Sequence, residues 1–232
     1  MSHDSSRPNN RILAALSDDS YQRLSPHLTR VSLPLKTIIY YPGQNIETVY
    51  FPIHALISLV NTLEDGSTTE IGLVGNMGMI GIQVILGSGK SKQLAIVQIE
   101  DSAMKLSAEV LKQEFDRGGE LQKSLLHFLE IRLDETAQLA VCNRHHIIEA
   151  RLGRWLLTVS DLIQSDELPL TQEFLGNMLG VQRTGVTLAA RTLQQAGLIH
   201  YSRGKITILD RESLEDATCE CYQLFRENIN GE

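Results

Sequence analysis

No apolar run in this 232-residue chain approaches the roughly 18 to 20 residues that a membrane span needs. Residues 1–10 are polar, carry Pro8 and lack the apolar core of a signal peptide, so a cytoplasmic protein with no membrane partner is expected. Cysteine is scarce. Cys142, Cys219 and Cys221 make an odd set with no CxxC pair and no disulfide framework, which points to reduced thiols. Cys219 and Cys221 stand two apart in a segment that reads as helical. Residues at that spacing do not face each other on a helix, which argues against one shared metal site. Enzymatic signatures are also missing: there is no nucleophile elbow, HExxH, P-loop or dinucleotide fingerprint. No catalytic residue, metal or cofactor is assigned, and the chain does not read as an enzyme.

Positive charge is in short supply too, with a net charge of −7. That excludes indiscriminate nucleic-acid binding by the whole surface, but not a local basic face. Such a face exists between 171 and 205, where Arg183, Arg191, Arg203 and Lys205 are opposed only by Glu173.

What is present falls into three parts: 1–118, 119–145 and 146–232. From 31 to 106 the chain reads as short strands and turns. Runs at 37–41, 49–51, 56–63, 68–74, 94–99 and 103–106 are punctuated by Pro42-Gly43, Pro52, Asp65-Gly66 and Gly87-Ser88-Gly89. Asp-Gly between two apolar runs is a strong hairpin signal, because glycine supplies the positive φ of the turn. Many short strands at even spacing predict an all-β barrel or sandwich. Ser107 is a candidate N-cap for a helix to about Phe115.

From 120 to 144 there is no Pro or Gly, and Leu126, Leu129, Leu133, Thr136, Ala140, Asn143 and Ile147 recur in steps of three and four. A heptad seam about three repeats long predicts a dimerisation helix. The competing reading is a helix packed on its own domain. Residues 148–163 predict a further helix with Leu152, Trp155, Leu156 and Val159 on one face, and 166–169 reads as a loop.

The stretch 170–197 carries the functional signal. Thr171 is a good N-cap, Phe174, Leu175, Met178 and Leu179 form an apolar stripe, and Gly180 suits a left-handed C-cap. A second helix starts at Gln182 and runs through Val186, Ala189, Ala190 and Leu193 to Gly197. Two short helices joined by a glycine turn predict a helix-turn-helix whose second helix enters a major groove. Arginine can pair with guanine O6 and N7, and glutamine with adenine N6 and N7. Residues 200–208 read as a hairpin wing whose Arg203 and Lys205 suit phosphate contacts. The DNA-binding set is therefore Thr171, Gln182, Arg183, Thr184, Thr187, Arg191, Arg203 and Lys205.

The order of parts resembles the Crp/Fnr superfamily of bacterial transcription regulators over about 12–214. The carriers are LTQEFLGNMLGVQRTGVTLAARTLQQAGLI at 170–199, RGKITILD at 203–210, YYPGQ at 40–44, VYFP at 49–52 and EIGLVGNMGMIG at 70–81. The resemblance implies an α+β chain: an N-terminal cyclic-nucleotide-binding-like β-roll, a long dimerisation helix and a C-terminal winged helix-turn-helix. It implies a homodimer on a pseudopalindromic operator, with double-stranded DNA, RNA polymerase and an unknown small-molecule effector as partners. Regulation would rotate the DNA domains about 143–148.

The family's base-reading positions fall on Gln182, Arg183 and Leu188. Thr184 stands where many members have glutamate, and Leu188 where the cyclic-AMP-dependent members have a second arginine. The β-roll departs further. The glycine-rich approach ending at Gly81 is present, but Ile82 replaces the ribose-binding glutamate, and Gln93-Leu94 replaces the Arg-Ser pair for the cyclic phosphate. A cyclic phosphate needs a cationic fork or a nest of amides, so a signal other than cyclic AMP is expected at a degenerate pocket near Gly81, Ile82, Gln93 and Leu94. No cysteine precedes Cys142, which excludes an Fnr-type iron–sulfur centre. Cys142, His145 and His146 near the hinge read as structural polar groups rather than as haem or metal ligands. The alternative from another class is a β-roll that serves as a protein-interaction module, with DNA binding as a tether.

Overall fold

A computed structural model describes residues 7–202 and 204–231, the side chains of Gln172 and Glu173 excepted. The chain divides into two compact units, Met1–Leu59 with Leu73–Ile131, and Val60–Gly72 with Arg132–Glu232.

The first unit opens with two short helices, α1 (Arg11–Ala14) and α2 (Asp18–Leu24). Both start at side-chain caps. Asn10 accepts from the Leu13 amide, and Ser17 accepts from the Ser20 amide with Asp18 and Asp19 in the first turn, where acids complement the helix dipole. Asn10 is fully buried because its own amide donates to the carbonyls of Pro52 (3.0 Å) and Gly78 (2.9 Å). The strands follow as β1 (Thr29–Leu33), β2 (Ile38–Tyr40), β3 (Thr48–Pro52), β4 (Leu56–Thr62), β5 (Thr68–Val74), β6 (Leu94–Ile99) and β7 (Asp101–Ser107). They form two sheets, ordered β1-β7-β3 and β2-β6-β4-β5. The register of the first pairs Val31 with Ala103 and Phe51 with Met104.

Alternation along the strands sends Val49, Phe51, Ile57, Val74, Val97 and Leu106 into one core, closed by Leu13, Leu24 and Leu111. Each such large side chain contributes about 1.5 to 3 kcal/mol by burial. The Asp65-Gly66 turn is where the sequence placed it. Gly66 has φ 83°, Asp65 accepts from the Ser67 amide (2.9 Å), and the Leu63 amide meets the Ser67 carbonyl (2.8 Å).

Helix α3 (Ala108–Asp116) is capped by Ser107, whose hydroxyl accepts from the Glu109 amide. After the glycine pair Gly118-Gly119 comes α4 (Glu120–His145), 26 residues long. It carries two apolar faces. Leu121, Leu125 and Phe128 are buried in the first unit's core. Leu126 and Leu133, from the seam read in the sequence, are 48% and 64% exposed, and Thr136, Ala140 and Asn143 are exposed beyond them. Helix α4 thus packs on its own domain along one face and leaves much of the seam exposed on another, with Leu129 half-buried.

The second unit contains α5 (Ile148–Ile163), β8 (Glu167–Leu168), α6 (Gln172–Leu179), α7 (Arg183–Gln195), β9 (Ile199–Ser202), β10 (Lys205–Ile208), α8 (Arg211–Ala217) and α9 (Cys221–Asn230). Helix α5 is buried along Leu152, Trp155, Leu156 and Val159. The tip of the β4–β5 hairpin belongs to this unit, and there Glu70 accepts a hydrogen bond from the Trp155 indole (2.9 Å). Arg211 on α8 donates to Ser160 Oγ (3.1 Å) and Tyr222 Oη (2.9 Å) and is ion-paired with Asp161, to which Tyr222 donates at 2.6 Å. That network ties α5, α8 and α9 together.

Two expectations are corrected. The loop expected at 166–169 contains β8, which pairs Leu168 with Ile206 and Glu167 with Thr207 in a sheet ordered β8-β10-β9. A two-residue strand has no period of its own and exists only through its partner. Cys219 and Cys221 do not share a helix: α8 ends at Ala217, Thr218 to Glu220 are irregular, and Cys221 opens α9.

Candidate nucleic-acid interface

Helix α6 starts where Thr171 Oγ1 accepts from the Phe174 amide (3.2 Å) and stops at Gly180, which is left-handed at φ 62°. Between them Leu175, Met178 and Leu179 are buried. The turn is tightened by the Val181 amide, which donates to the Gly176 carbonyl at 3.0 Å. Gly176 is a residue whose role the sequence reading missed. A Cβ there would lie 3.1 Å from the Val181 carbonyl oxygen, so glycine lets the turn close on the helix without a tight contact. A glycine inside a helical pattern was the available signal, since it costs about 1 kcal/mol against alanine unless packing requires it. At Gly180 a Cβ would stand 2.7 Å from Thr69 Oγ1 on the hairpin tip, so size and φ both select glycine.

Gln182 is extended (φ −63°, ψ 146°) and caps α7 with its backbone only, its side chain making no capping bond. The helix opens with Arg183 and has no acid in its first turn. Its N-terminal amides and dipole therefore add to the guanidinium charge, a combination suited to phosphate and to electronegative base edges. Val186, Ala189, Ala190 and Leu193 are buried; Gln182, Arg183, Thr184, Leu188 and Arg191 are exposed on the other side. Six of the eight DNA-binding residues read from the sequence, counting the exposed Thr171 and Lys205, are thus at the surface.

Thr187 differs. It is half-buried and its hydroxyl donates to the Arg183 carbonyl (2.9 Å). Leu188, 61% exposed, is an apolar group on the outer face, of a kind that suits a thymine methyl. In the wing, Lys205 is ion-paired with Glu167 Oε2 at 2.5 Å, both side chains being exposed. Arg203 lies outside the described residues.

The β-roll positions lie in the first unit. Gly81 is buried at φ 102°, and a Cβ there would be 2.9 Å from Val49 Cγ1. It leads into a short 3-10 turn, Ile82–Val84. Gln83 Nε2 donates to Gln93 Oε1 (3.2 Å), and Ser91 Oγ donates to the Gln93 carbonyl (2.7 Å). The side-chain amides of Gln83 and Gln93 are thus turned on each other, and Ile82 and Leu94 beside them in the chain are half-buried. Near the end of α4, His145 is exposed and His146 Nε2 lies 3.6 Å from Glu220 Oε2. Neither histidine joins the buried sulfur of Cys142.

Among the described residues no helix is long and apolar enough to cross a membrane. Residues 150–217 match the family model of the Crp-like helix-turn-helix domain. The global nitrogen regulator of Nostoc sp. is 24% identical over 180 residues, 73% of this chain and 80% of its own length. The cAMP-activated global transcriptional regulator Vfr of Pseudomonas aeruginosa is 22% identical over 200 residues, 81% and 92% of the two chains. A solved transcriptional regulator of the Crp/Fnr family from Eubacterium rectale shares the fold with a TM-score of 0.72 at 20% identity, over 94% of this chain and 99% of that one. The c-di-GMP responsive global regulator CLP of Xanthomonas campestris does so at 0.70 and 19%, over 83% and 99%.

Proposed function

We propose that the chain is a transcription regulator of the Crp/Fnr type, on the match of 150–217 to the Crp-like helix-turn-helix domain and the likeness to regulators of that family, and that it acts as a cytoplasmic homodimer that reads a pseudopalindromic operator with the N-terminal end of α7. The observation that carries this reading is the exposed run Gln182-Arg183-Thr184 at a helix start without acids, followed on the same side by Leu188 and Arg191. Direct readout needs such a set: forked donors for base edges, and an apolar group for a methyl.

The homodimer rests on the exposed seam of α4. Two copies aligned along Leu126, Leu133, Thr136, Ala140 and Asn143 would bury apolar surface that one copy leaves in water, with Asn143 as a register-setting polar position. Leu133→Asp would put a charge at the middle of that seam. The variant is expected to sediment as a monomer at concentrations where the parent has twice the chain mass, with unchanged far-UV circular dichroism.

The signal reading rests on the neutral residues Ile82, Gln93 and Leu94, of which Gln93 is hydrogen-bonded to Gln83. They offer no cationic fork to a cyclic phosphate anion, which supports an effector other than cyclic AMP. Any effector must bind two arrangements of the dimer differently to shift their populations.

Selection of bound sequences from a random duplex pool, with purified protein and no added ligand, tests the proposal. A two-fold-symmetric motif is expected, with half-sites about 34 to 36 Å apart. A folded dimer that enriches only asymmetric or sequence-independent DNA would overturn it.

The wing adds a second expectation. Lys205→Ala should weaken all sequences alike and lower the salt slope of binding by about one. Since Glu167 competes with phosphate for Lys205, Glu167→Gln should tighten every sequence by up to about fivefold, the upper end for an exposed ion pair. Binding isotherms across a salt series measure both.

A further inference from the structure

The three cysteines meet in the second unit. Cys142, Cys219 and Cys221 are 0%, 4% and 1% exposed, all are free, and their sulfurs lie within 4.8 Å of one another. Cys142 and Cys219 are 3.6 Å apart. Three different elements supply them: the last turn of α4, the irregular link after α8, and the first residue of α9. The link is what lets two cysteines two apart face one point. Thr218 holds it to α5 by donating to the Ala150 carbonyl (2.8 Å). Gly153 allows the approach, since a Cβ there would lie 3.2 Å from Thr218 Oγ1.

Thiols that only filled a core would be expected among neutral neighbours. Here Arg151 and Arg154 of α5 are buried as well, at 7% and 3% exposure, and the Nε of each finds no acceptor. Their guanidiniums act electrostatically on the sulfurs, Arg154 on Cys142 and Arg151 on Cys142 and Cys219. Buried guanidiniums favour sulfur in its anionic form, and the thiolate is the metal-binding form of cysteine.

We propose that Cys142, Cys219 and Cys221 form a three-thiolate site for a soft monovalent ion of the Cu(I) class. Thiolate sets select soft ions. Metal–sulfur bonds of about 2.3 Å in a trigonal arrangement put sulfurs about 4 Å apart, within the spread of this trio. A structural zinc site wants four ligands, and among the described residues no histidine or carboxylate completes the group. His146 lies instead beside Glu220. Three thiolates around a monovalent ion keep excess negative charge, which the two buried arginines offset; buried charge without such compensation is costly. Gln138 Nε2, which donates to Cys221 Sγ at 3.0 Å, is an outer-shell partner of the kind that orients ligands. The bound ion would tie the end of α4 to the α8–α9 link.

The test is titration of the fully reduced, full-length protein with Cu(I) under anaerobic conditions, in competition with a chromophoric Cu(I) chelator. One equivalent per chain is expected, together with slower hydrogen exchange at the end of α4 and the start of α9 and three sulfur neighbours at about 2.3 Å by X-ray absorption. Cys142→Ser, Cys219→Ser and Cys221→Ser should each weaken binding by on the order of 100-fold or more, at or above the loss from disturbing an outer-shell partner. His146→Ala should leave it unchanged. Circular dichroism of the metal-free variants establishes that each folds, and if Cys142→Ser does not, Cys221→Ser carries the comparison. The proposal is overturned if the folded, reduced protein yields all its Cu(I) to the chelator. It is equally overturned if the folded serine variants hold the ion as tightly as the parent, or if Zn(II) is bound in preference.

Discussion

Replacing Arg183 by alanine is expected to relax base preference at one position of each half-site while the rest of the motif stays. A bidentate arginine–guanine contact carries about 1 to 3 kcal/mol of discrimination, so the preferred base should lose roughly five- to 150-fold of its advantage there. The reasons are positional. Arg183 is the first residue of α7, is exposed, and faces no acid in that turn. The hydrophobic side of the helix is held by Val186, Ala189, Ala190 and Leu193, so shortening Arg183 leaves the scaffold in place. Repeating the duplex selection with the variant measures the effect. Lys205→Ala is the control, because a phosphate contact scales all sequences together. A motif from Arg183→Ala identical to the parent's would remove this residue from base readout.

Trp155→Ala is expected to destabilise the second unit by about 3 to 5 kcal/mol, the range for truncating a large buried aromatic. Trp155 is 2% exposed. Its ring meets Phe174 of α6 edge-on, with centroids 5.8 Å apart, and its indole N–H donates to Glu70. One substitution thus loosens α5 from the first helix of the helix-turn-helix and takes a donor from a buried carboxylate. Trp155→Phe separates the two effects. It keeps most of the ring packing and removes the N–H, at a cost of about 1 to 3 kcal/mol. Trp155 is the one tryptophan of the chain, so its fluorescence is lost in both variants. Hydrogen exchange is the better measurement, since with two compact units a single unfolding midpoint is not a well-defined quantity. Equal protection of α5 and α6 in parent and Trp155→Ala would contradict the expectation.

Much of the interface was legible in the chain because its signals are local. Thr171 and Gly180 mark the ends of α6 through bonds that span three or four residues. The apolar period of α7 fixes its inner face, and what remains must point outwards. The Asp65-Gly66 turn is of the same kind. Harder to read were features without a period or a cap of their own. Strand β8 is two residues long and is defined by Ile206, some forty positions later. Gly176 looks like a defect in a helix until the Val181 carbonyl is seen above it. Lys205 reads as a free phosphate anchor, yet it is held by Glu167 across the β8–β10 pair.

The cysteines mark the boundary between the two kinds of knowledge. By spacing alone, Cys219 and Cys221 on a continuous helix would diverge. The break at Thr218 to Glu220 turns them together, and they meet Cys142 from a position 77 residues away from Cys219. The sequence by itself determined the β-rich first part, the long helix, the helix-turn-helix and the exposed residues of α7, because caps, turns and hydrophobic periods act within a few residues. Only the tertiary structure decided which face of α4 stays exposed, which acid holds Lys205, and that three sulfurs and two arginines share one buried place. Those outcomes depend on which distant segments pack together, and a contact between residues far apart in the chain has no local signature in it.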